Sequence, residues 1–239
     1  MSHVETEFLL VAGILAFYLF DSARLLHFDD LVIAPVRGAW RIVPGGTLEV
    51  RGRFLHLPNP LWPAGTRFIA GWLHPAAAIE DADAVRNFAR RLWPVRAGCM
   101  LVAGLVLVAI PLLLLVHRDP AWLLAALAAA SLVTLAMLAL LFARRKALRL
   151  DTRRLLALSA ESLLCPPCAP NMYRKLCAWR GWRGDPVAFA AHHLPSAARP
   201  ALRAGIEARI ALFALVDDDE DGRVGAVHAA RGRIRSELA

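Results

Sequence analysis

The sequence predicts a mainly α-helical membrane protein with three transmembrane helices: an N-terminal anchor helix and, later in the chain, a helical hairpin. Two observations lead to this fold class. Hydrophobic residues make up 58% of the 239 positions, which exceeds the ~45–50% usual in soluble domains. These residues are also gathered into long uncharged blocks instead of recurring at the spacing of a soluble core. A small β-rich insertion and a helical C-terminal domain complete the predicted architecture.

The hairpin is predicted over residues 97–143. Residues 97–116 and 121–143 contain no charged side chain, and twenty helical residues at ~1.5 Å each match a hydrocarbon core of ~30 Å. The link HRDP between them is too short for anything but antiparallel neighbours. Pro111 lacks an amide hydrogen, so a kink is expected in the first of the two helices.

The anchor helix is predicted within residues 1–28. Its apolar core, residues 8–20, is short for a full span, but Glu5 and Glu7 precede it and no Lys or Arg occurs before Arg24. A secretory signal would instead begin with basic residues. Continuing the helix through Leu26, with Asp21 and Arg24 paired one turn apart, gives a span of adequate length.

The basic residues predict an orientation. They flank both ends of the hairpin: Arg86, Arg90, Arg91, Arg96, Arg144, Arg145, Lys146 and Arg149. The positive-inside rule then places the N-terminus outside and the C-terminus in the cytoplasm. The composition resembles that of bacterial inner-membrane proteins, so a multi-pass protein of that membrane is expected. Because the cytoplasm is reducing, the cysteines on that side are expected to be free thiols or metal ligands.

Residues 29–79 predict a small, basic, β-rich cytoplasmic segment. Short β-branched and aromatic runs alternate with Pro- and Gly-containing turn signals, which is typical of antiparallel strands. Five arginines give this segment a basic side: Arg37, Arg41, Arg51, Arg53 and Arg67. The first four are candidates for binding a lipid or a partner. Such a side attracts anionic lipid headgroups. Nucleic acid is disfavoured as a partner because the chain carries no nucleic-acid-binding motif.

Residues 80–96 predict an amphipathic helix at the membrane interface. Acidic residues crowd its start, Val85, Phe88 and Leu92 share one face, and basic residues occupy the others. With the strand arginines, the basic residues of this helix are the candidates for binding a lipid or a partner. They are Arg86, Arg90 and Arg91. A docking helix for a protein partner is the alternative interpretation.

Residues 144–239 predict a cytoplasmic helical domain with a basic tail. The last transmembrane helix is expected to continue until Pro166 and Pro167 end it. Asp185 is predicted as the N-cap of a helix that has Pro186 at its first position. DDDEDG, residues 217–222, opens like a calcium loop, but His228 stands where a Glu ligand is needed, so an acidic turn is expected. The Gly-punctuated tail is expected to be disordered.

The cysteine-rich stretch LLCPPCAPNMYRKLC, residues 163–177, is the strongest candidate for chemistry. Cys165, Cys168 and Cys177 could hold zinc with His192 as the fourth ligand, or with His193 in its place. A redox role is disfavoured because two prolines remove the amides that usually stabilise a thiolate there. A helix-breaking turn is the preferred interpretation.

The segment DSARLLHFDD is a second, weaker candidate. Its side chains Asp21, Arg24, His27, Asp29 and Asp30 could act as acids and bases at headgroup depth. Charges that cap the end of a helix are the preferred interpretation.

The expected function is that of a non-catalytic accessory or scaffold component, not an enzyme, which docks a partner or anionic lipid at the cytoplasmic face. Membrane lipids are the expected partners, together with a protein partner or a second copy of the chain. No cofactor is expected, with zinc as the alternative. A membrane-bound enzyme, or a metal or redox sensor that uses the cysteine cluster or the Asp21–Asp30 segment, is the alternative function.

Overall fold

A computed structural model describes residues 3–36, 38–46, 48–50, 52–74, 76, 78–117, 119–216 and 223–238. The chain forms two compact units. The first comprises residues 1–23, 58–65 and 88–176, and the second residues 24–57, 66–87 and 177–239. Over the described residues the fold is mostly helical, with two small antiparallel sheets.

The first unit is built on a helical hairpin. Helices α3 (Trp93–His117) and α4 (Pro120–Arg144) are each long and apolar enough to cross a membrane. Asp119 caps α4 by accepting a hydrogen bond from the amide of Ala121 at 2.8 Å. Gly98 of α3 lies directly against the Met137 side chain of α4, so a Cβ atom at position 98 would force that side chain to move.

Pro111 disturbs the hydrogen-bond ladder of α3 without ending the helix. Two wider π-helical turns, Leu105–Ala109 and Leu113–His117, flank the short α-helical stretch that contains it. Such turns accommodate the carbonyl that a proline leaves without its usual partner.

Helix α1 (His3–Ser22) belongs to the same unit and packs against the π-helical turns of α3. The prediction that this helix continues through Leu26 is wrong, because Arg24–Leu26 forms strand β1. Strand formation is favoured there because Leu26 is buried in one apolar cluster with Phe54 of the strand paired to it and Val32 of the other sheet.

A turn at residues 145–150 follows α4, and the prediction that the last transmembrane helix continues into the next segment is wrong. Arg149 in this turn has a φ of 53°, a left-handed conformation that is incompatible with a continuing helix. Helix α5 (Thr152–Leu164) then begins after Asp151, which caps it by accepting from the amide of Arg154 at 3.2 Å. Its end at Leu164, just before the two prolines, confirms the predicted helix stop.

The cysteine-rich stretch forms a 3₁₀-helix, Pro166–Asn171, followed by α6 (Met172–Arg180). Residues 166–171 pack against α1, α3 and α5. Cys99 Sγ of α3 lies 3.8 Å from the carbonyl oxygen of Ala169, and Ala169 is fully buried. The stretch is therefore a helix-breaking turn, as predicted, and it is also part of the core of the first unit.

The second unit contains two three-stranded antiparallel sheets. The first sheet has the order β1, β5 (Arg53–His56), β4 (Leu48–Val50), and the second the order β3 (Ala39–Val43), β2 (Asp30–Val36), β6 (Phe68–Gly71). The predicted strands are confirmed, but they do not form one sheet with one basic side. Arg41 lies on β3 and Arg53 on β5, in different sheets.

Helices complete the second unit. Helix α2 (Ala82–Arg91) begins in this unit, and its Val85 is buried, as the amphipathic pattern predicts. Asp185 caps α7 (Pro186–His193) by accepting from the amides of Val187 and Ala188, which confirms that prediction. Two further helices are α8 (Arg199–Val216) and α9 (Arg223–Glu237).

The prediction of a disordered tail is wrong over residues 223–237. Val227, Ala230, Ile234 and Leu238 of this region recur at helical spacing and are all buried. This apolar stripe explains why the basic tail folds. The acidic segment DDDEDG lies outside the described residues.

Candidate functional site

Among the described residues of the first unit, a dense group of polar side chains lies at the end of α1. This group, here called the ionic cluster, joins α1, α5, the 3₁₀-helix and the start of α6. Its members are Tyr18, Asp21, Ser22, Glu161, Asn171, Arg174 and Lys175.

Arg174 lies at the centre of the ionic cluster and is buried. Its Nη2 donates to the carbonyl oxygens of Asn59 at 2.6 Å and Trp62 at 2.7 Å. Its Nη1 donates to Asn171 Oδ1 at 3.0 Å and Ser22 Oγ at 3.2 Å. Burial lowers the pKa of Arg174, although arginine stays protonated in proteins. The guanidinium therefore fixes the loop 58–65 to the end of α1.

The neutral members of the ionic cluster complete this arrangement. Tyr18 donates its hydroxyl hydrogen to the carbonyl oxygen of Pro60 at 2.6 Å, which gives the loop a third attachment. Ser22 Oγ donates to the Tyr18 carbonyl at 2.8 Å, and Asn171 Nδ2 donates to Asp21 Oδ2 at 2.9 Å. Buried polar groups that satisfy one another in this way fix one conformation of the surrounding chain.

Lys175 bridges two carboxylates. Its Nζ lies 2.5 Å from Asp21 Oδ1 and 2.6 Å from Glu161 Oε1. Burial alone lowers the pKa of Lys175, but the hydrogen bonds to the two carboxylates outweigh burial, and the net pKa is raised. The ammonium group therefore remains charged and links α1 to α5.

The thiols beside this bridge are poorly activated. Cys168 is buried and Cys165 half-buried, and the amide of Cys168 donates to the Cys165 carbonyl at 2.8 Å. Burial raises the pKa of the Cys168 thiol, and a hydrogen bond with Cys165 and the charge of Asp21 raise it further. A thiol held protonated is a weak nucleophile.

One group of possible metal ligands occurs among the described residues. Ligand atoms of Asp21, Glu161 and Cys168 all lie within 4.8 Å of one another. Carboxylates and a thiolate suit zinc, but Lys175 already donates to both carboxylates. A metal ion would have to displace this ammonium group and remove the proton from Cys168. The arrangement favours a lysine-bridged structural cluster over a metal centre.

The residues predicted to bind zinc are divided between the two units. Cys165 and Cys168 belong to the first unit, and Cys177 and His192 to the second. Cys177 is fully buried on α6. His192 is exposed on α7, with Nδ1 2.8 Å from the carbonyl oxygen of Ala188.

The second predicted polar segment, Asp21–Asp30, is also divided between the units. Asp21 belongs to the ionic cluster. In the second unit, Asp30 Oδ2 accepts from the amide of His27 at 2.8 Å, and burial raises the pKa of Asp30. The amide of Asp30 also donates to the His27 carbonyl at 3.2 Å, so this end of the segment is closed into a local turn.

Arg209 of α8 plays a comparable structural role in the second unit. It donates to the carbonyl oxygens of His27, Asp30 and Gly46, each at 3.2 Å. Its guanidinium carbon lies 4.1 Å from the centre of the Phe54 ring. Burial lowers the pKa of Arg209 to about 10. In both units, then, a buried arginine binds backbone carbonyls of a loop.

The arginines predicted to bind lipid or a partner are mostly accessible where the structure describes them. Arg41 and Arg53 are exposed on strands whose neighbouring residues Trp40, Ile42 and Phe54 point into the core. Arg86 is half-exposed, pairs with Asp83 at 3.4 Å and lies 5.5 Å from the centre of the Trp40 ring. Arg37 and Arg51 lie outside the described residues.

Arg90 and Arg91 are exposed at the end of α2, next to the hairpin. Arg144 Nη1 donates to the carbonyl oxygen of Arg91 at 3.2 Å, which places the end of α4 beside the start of α3. Exposed basic side chains therefore gather at the open end of the hairpin. This group, here called the basic belt, comprises Arg90, Arg91, Arg144, Arg145, Lys146 and Arg149.

No protein-family model matches the chain, and neither a curated protein nor a solved structure is significantly similar to it. Its function has to be inferred from the two sites themselves.

Of the seven residues in the ionic cluster, only Asp21 was predicted from the sequence as a candidate site residue. The three other charged members, which were not predicted, are Glu161, Arg174 and Lys175. The available signal was the pair Arg174-Lys175 directly after the helix-breaking prolines, in a stretch that is otherwise apolar. Two adjacent basic residues in a segment that must pack inward require acidic or carbonyl partners.

Proposed function

We propose that the chain is an integral membrane protein of the inner membrane with a non-catalytic accessory or scaffold role, and that it docks anionic lipid at its cytoplasmic face. The observation that carries this proposal is the basic belt. Residues 88–96 and 144–150, at the open end of the hairpin, contain no Asp or Glu. A basic surface at the end of two membrane-spanning helices attracts anionic headgroups.

Three spans form the proposed topology, with the N-terminus outside and the C-terminus inside. The 20 residues of α1 cover about 30 Å, the thickness of a hydrocarbon core. This helix packs against the π-helical turns of α3, and its side chains Phe8, Phe17 and Phe20 are exposed. Exposed aromatic side chains along a helix that packs on the hairpin suit a lipid surrounding.

The chemistry of the ionic cluster supports a non-catalytic role. Arg174 and Lys175 are engaged in hydrogen bonds with backbone carbonyls, Ser22, Asn171 and carboxylates. The pKa of the adjacent Cys168 thiol is raised instead of lowered. A nucleophilic thiol needs a lowered pKa.

The test is the amount of anionic lipid retained by the protein in nanodiscs that contain phosphatidylglycerol and phosphatidylcholine. At about 1 kcal/mol for each basic residue near the surface, Arg145→Gln with Lys146→Gln costs about 2 kcal/mol, or roughly thirtyfold in affinity for phosphatidylglycerol. Arg144 is left unchanged because it also bonds the Arg91 carbonyl.

Two further variants make this test specific. Arg41→Gln with Arg53→Gln measures the share of the strand arginines, and Arg183→Gln, at an exposed position in the second unit, is the control. Unchanged retention in the Arg145 and Lys146 variant would contradict the proposal. Retention of a protein partner or of a second copy, without anionic lipid, would replace lipid by protein as the docked species.

A further inference from the structure

We propose that four apolar side chains around the ionic cluster insert into the bilayer, at the boundary between headgroups and acyl chains. They form a rim, here called the apolar rim, that consists of Phe20, Leu61, Trp62 and Leu164. This inference rests on the proposed function, since it assumes that the hairpin spans the membrane. Phe20 marks the end of the proposed α1 span, and the other three side chains add a membrane contact outside the predicted spanning segments.

The apolar rim is unusually accessible. The exposed fractions of Leu61, Leu164 and Phe20 are 87%, 86% and 83%, which are the highest of the large apolar side chains among the described residues. Trp62, next to Leu61, is 49% exposed. Scattered exposed apolar residues are ordinary, but several gathered at one site indicate an interaction surface.

Hydrogen bonds of the ionic cluster bring the parts of the rim together. Phe20 directly precedes Asp21, and Leu164 follows Glu161 by one helical turn. Lys175 bonds both of these carboxylates. Leu61 lies between residues whose carbonyls are held by Tyr18 and Arg174. The most exposed apolar side chains among the described residues thus belong to segments that the ionic cluster holds together.

The depth of the rim follows from its position along the hairpin. Cys99 lies two residues, or about 3 Å, inside the uncharged stretch 97–116. It contacts Ala169 of the 3₁₀-helix at 3.8 Å, and that 3₁₀-helix begins two residues after Leu164. The 3₁₀-helix is thus level with the first turn of the uncharged stretch, where headgroups meet acyl chains.

The residue types of the rim suit this depth. Leu and Phe gain free energy when they leave water for acyl chains, and Trp prefers the interface because its ring is amphipathic. The neighbouring basic belt supplies the positive charge that anionic headgroups attract. A bilayer is therefore the occupant that the apolar rim and the basic belt together fit.

Arg174 is the positioning residue of this surface. It holds the carbonyls of Asn59 and Trp62, so the loop presents its apolar side chains outward while its polar backbone is satisfied inside the protein. Without this guanidinium, the loop would need water for its carbonyls and would withdraw from the acyl boundary.

The test measures depth with an environment-sensitive fluorophore in the full-length protein. Single cysteines replace Leu61 or Leu164 in a Cys165→Ser background, in which Cys99, Cys168 and Cys177 are all buried. The labelled protein is reconstituted into vesicles of phosphatidylcholine and phosphatidylglycerol. Some of these lipids carry a nitroxide quencher, either near the top or near the end of the acyl chain.

Two control positions distinguish a failure of this inference from a failure of the proposed function. Leu132, exposed in the middle of α4, is the deep control, and Ser196, exposed in the second unit, is the aqueous control. We expect quenching by the shallow nitroxide at positions 61 and 164, by the deep nitroxide at 132, and by neither at 196. Absence of quenching at 61 and 164 with normal quenching at 132 would overturn the inference alone. Absence of quenching at 132 would overturn the proposed function.

Arg174→Gln then tests the positioning role. We expect the shallow quenching to be lost at position 61 and kept at position 164, because Leu164 is held by α5. Quenching that persists at both positions would show that Arg174 does not position the loop. Loss at both positions, or a loss of deep quenching at 132, would show a general failure to fold or insert and would also contradict the positioning role.

Discussion

Arg174 Nη2 donates a hydrogen bond to the carbonyl oxygen of Trp62 over 2.7 Å, although 112 positions separate the two residues. The same nitrogen binds the Asn59 carbonyl at 2.6 Å. One buried guanidinium therefore ties the loop 58–65 to the segment that follows the cysteine-rich turn. This contact organises the first unit and makes the turn a structural element.

Replacement of Arg174 by Met should destabilise the first unit strongly. The change leaves the Asn59 and Trp62 carbonyls and the Ser22 and Asn171 side chains without this donor. Each buried group that stays unpaired lowers the free energy of unfolding by about 1–3 kcal/mol. The measurement is the free energy of unfolding in detergent micelles. Arg183→Met, at an exposed position, is the matched control. Equal stability of the two variants would show that the Arg174 hydrogen bonds do not hold the unit together.

The bridge from Lys175 to Asp21 and Glu161 predicts a loss of stability in alkali. These hydrogen bonds leave the pKa of Lys175 raised in the folded protein in spite of its burial. The bridge therefore contributes fully to the free energy of unfolding below the ordinary lysine pKa of about 10.4. This contribution is lost as the pH rises through the pKa of Lys175 in the folded protein. Thermal unfolding of the wild type and of Lys175→Met, followed from pH 8 to about 11, checks this. The stability difference between them should shrink above about pH 10. A constant difference would mean that the charge of Lys175 is not what stabilises the bridge.

Zinc should not bind stoichiometrically to the protein. Lys175 already supplies the positive charge that the carboxylates Asp21 and Glu161 require, and the pKa of the Cys168 thiol is raised. Metal analysis of protein purified with added zinc should give no bound ion, and Cys165→Ser with Cys168→Ser should leave folding unchanged. One zinc per chain that disappears in this double variant would contradict the lysine-bridged interpretation and favour the metal alternative.

Replacement of Arg209 by Met should loosen the second unit selectively. The guanidinium holds the carbonyls of His27, Asp30 and Gly46 and covers the Phe54 ring, whereas Met keeps the apolar volume but loses the donors. Hydrogen exchange of the amides of strands β1 to β5 should accelerate, while that of α3 and α4 should not change. Unchanged exchange in the strands would show that these carbonyls are satisfied without Arg209.

Much of the fold could be predicted because the responsible signals are local. The two uncharged stretches, the Asp185 cap and the prolines after Leu164 each act within a few residues. The helix that replaces the predicted disordered tail was also visible in principle, as buried Val227, Ala230 and Ile234 at helical spacing. Its many charges and glycines masked that pattern.

The ionic cluster could not be predicted, because its partners are distant in the chain. Asp21 was paired with Arg24 on the assumption that the helix continued, but the chain becomes a strand at Arg24, and Lys175 takes that place from 154 positions away. Charge pairs of this kind depend on which segments pack together, and a single sequence does not specify this. The same reason explains why Cys168 lies beside Asp21 and Glu161.

The central claim is that the hairpin Trp93–Arg144 crosses a bilayer, with its basic end on one side and its tip on the other. His117, beside the tip, and Ala147, in the basic turn, are both exposed, so each can be replaced by a single cysteine. They can be labelled in intact cells and in inverted membrane vesicles with a membrane-impermeant maleimide, in a Cys165→Ser background. The account predicts labelling of position 117 only in intact cells and of position 147 only in inverted vesicles. Labelling of both positions from the same side would contradict it.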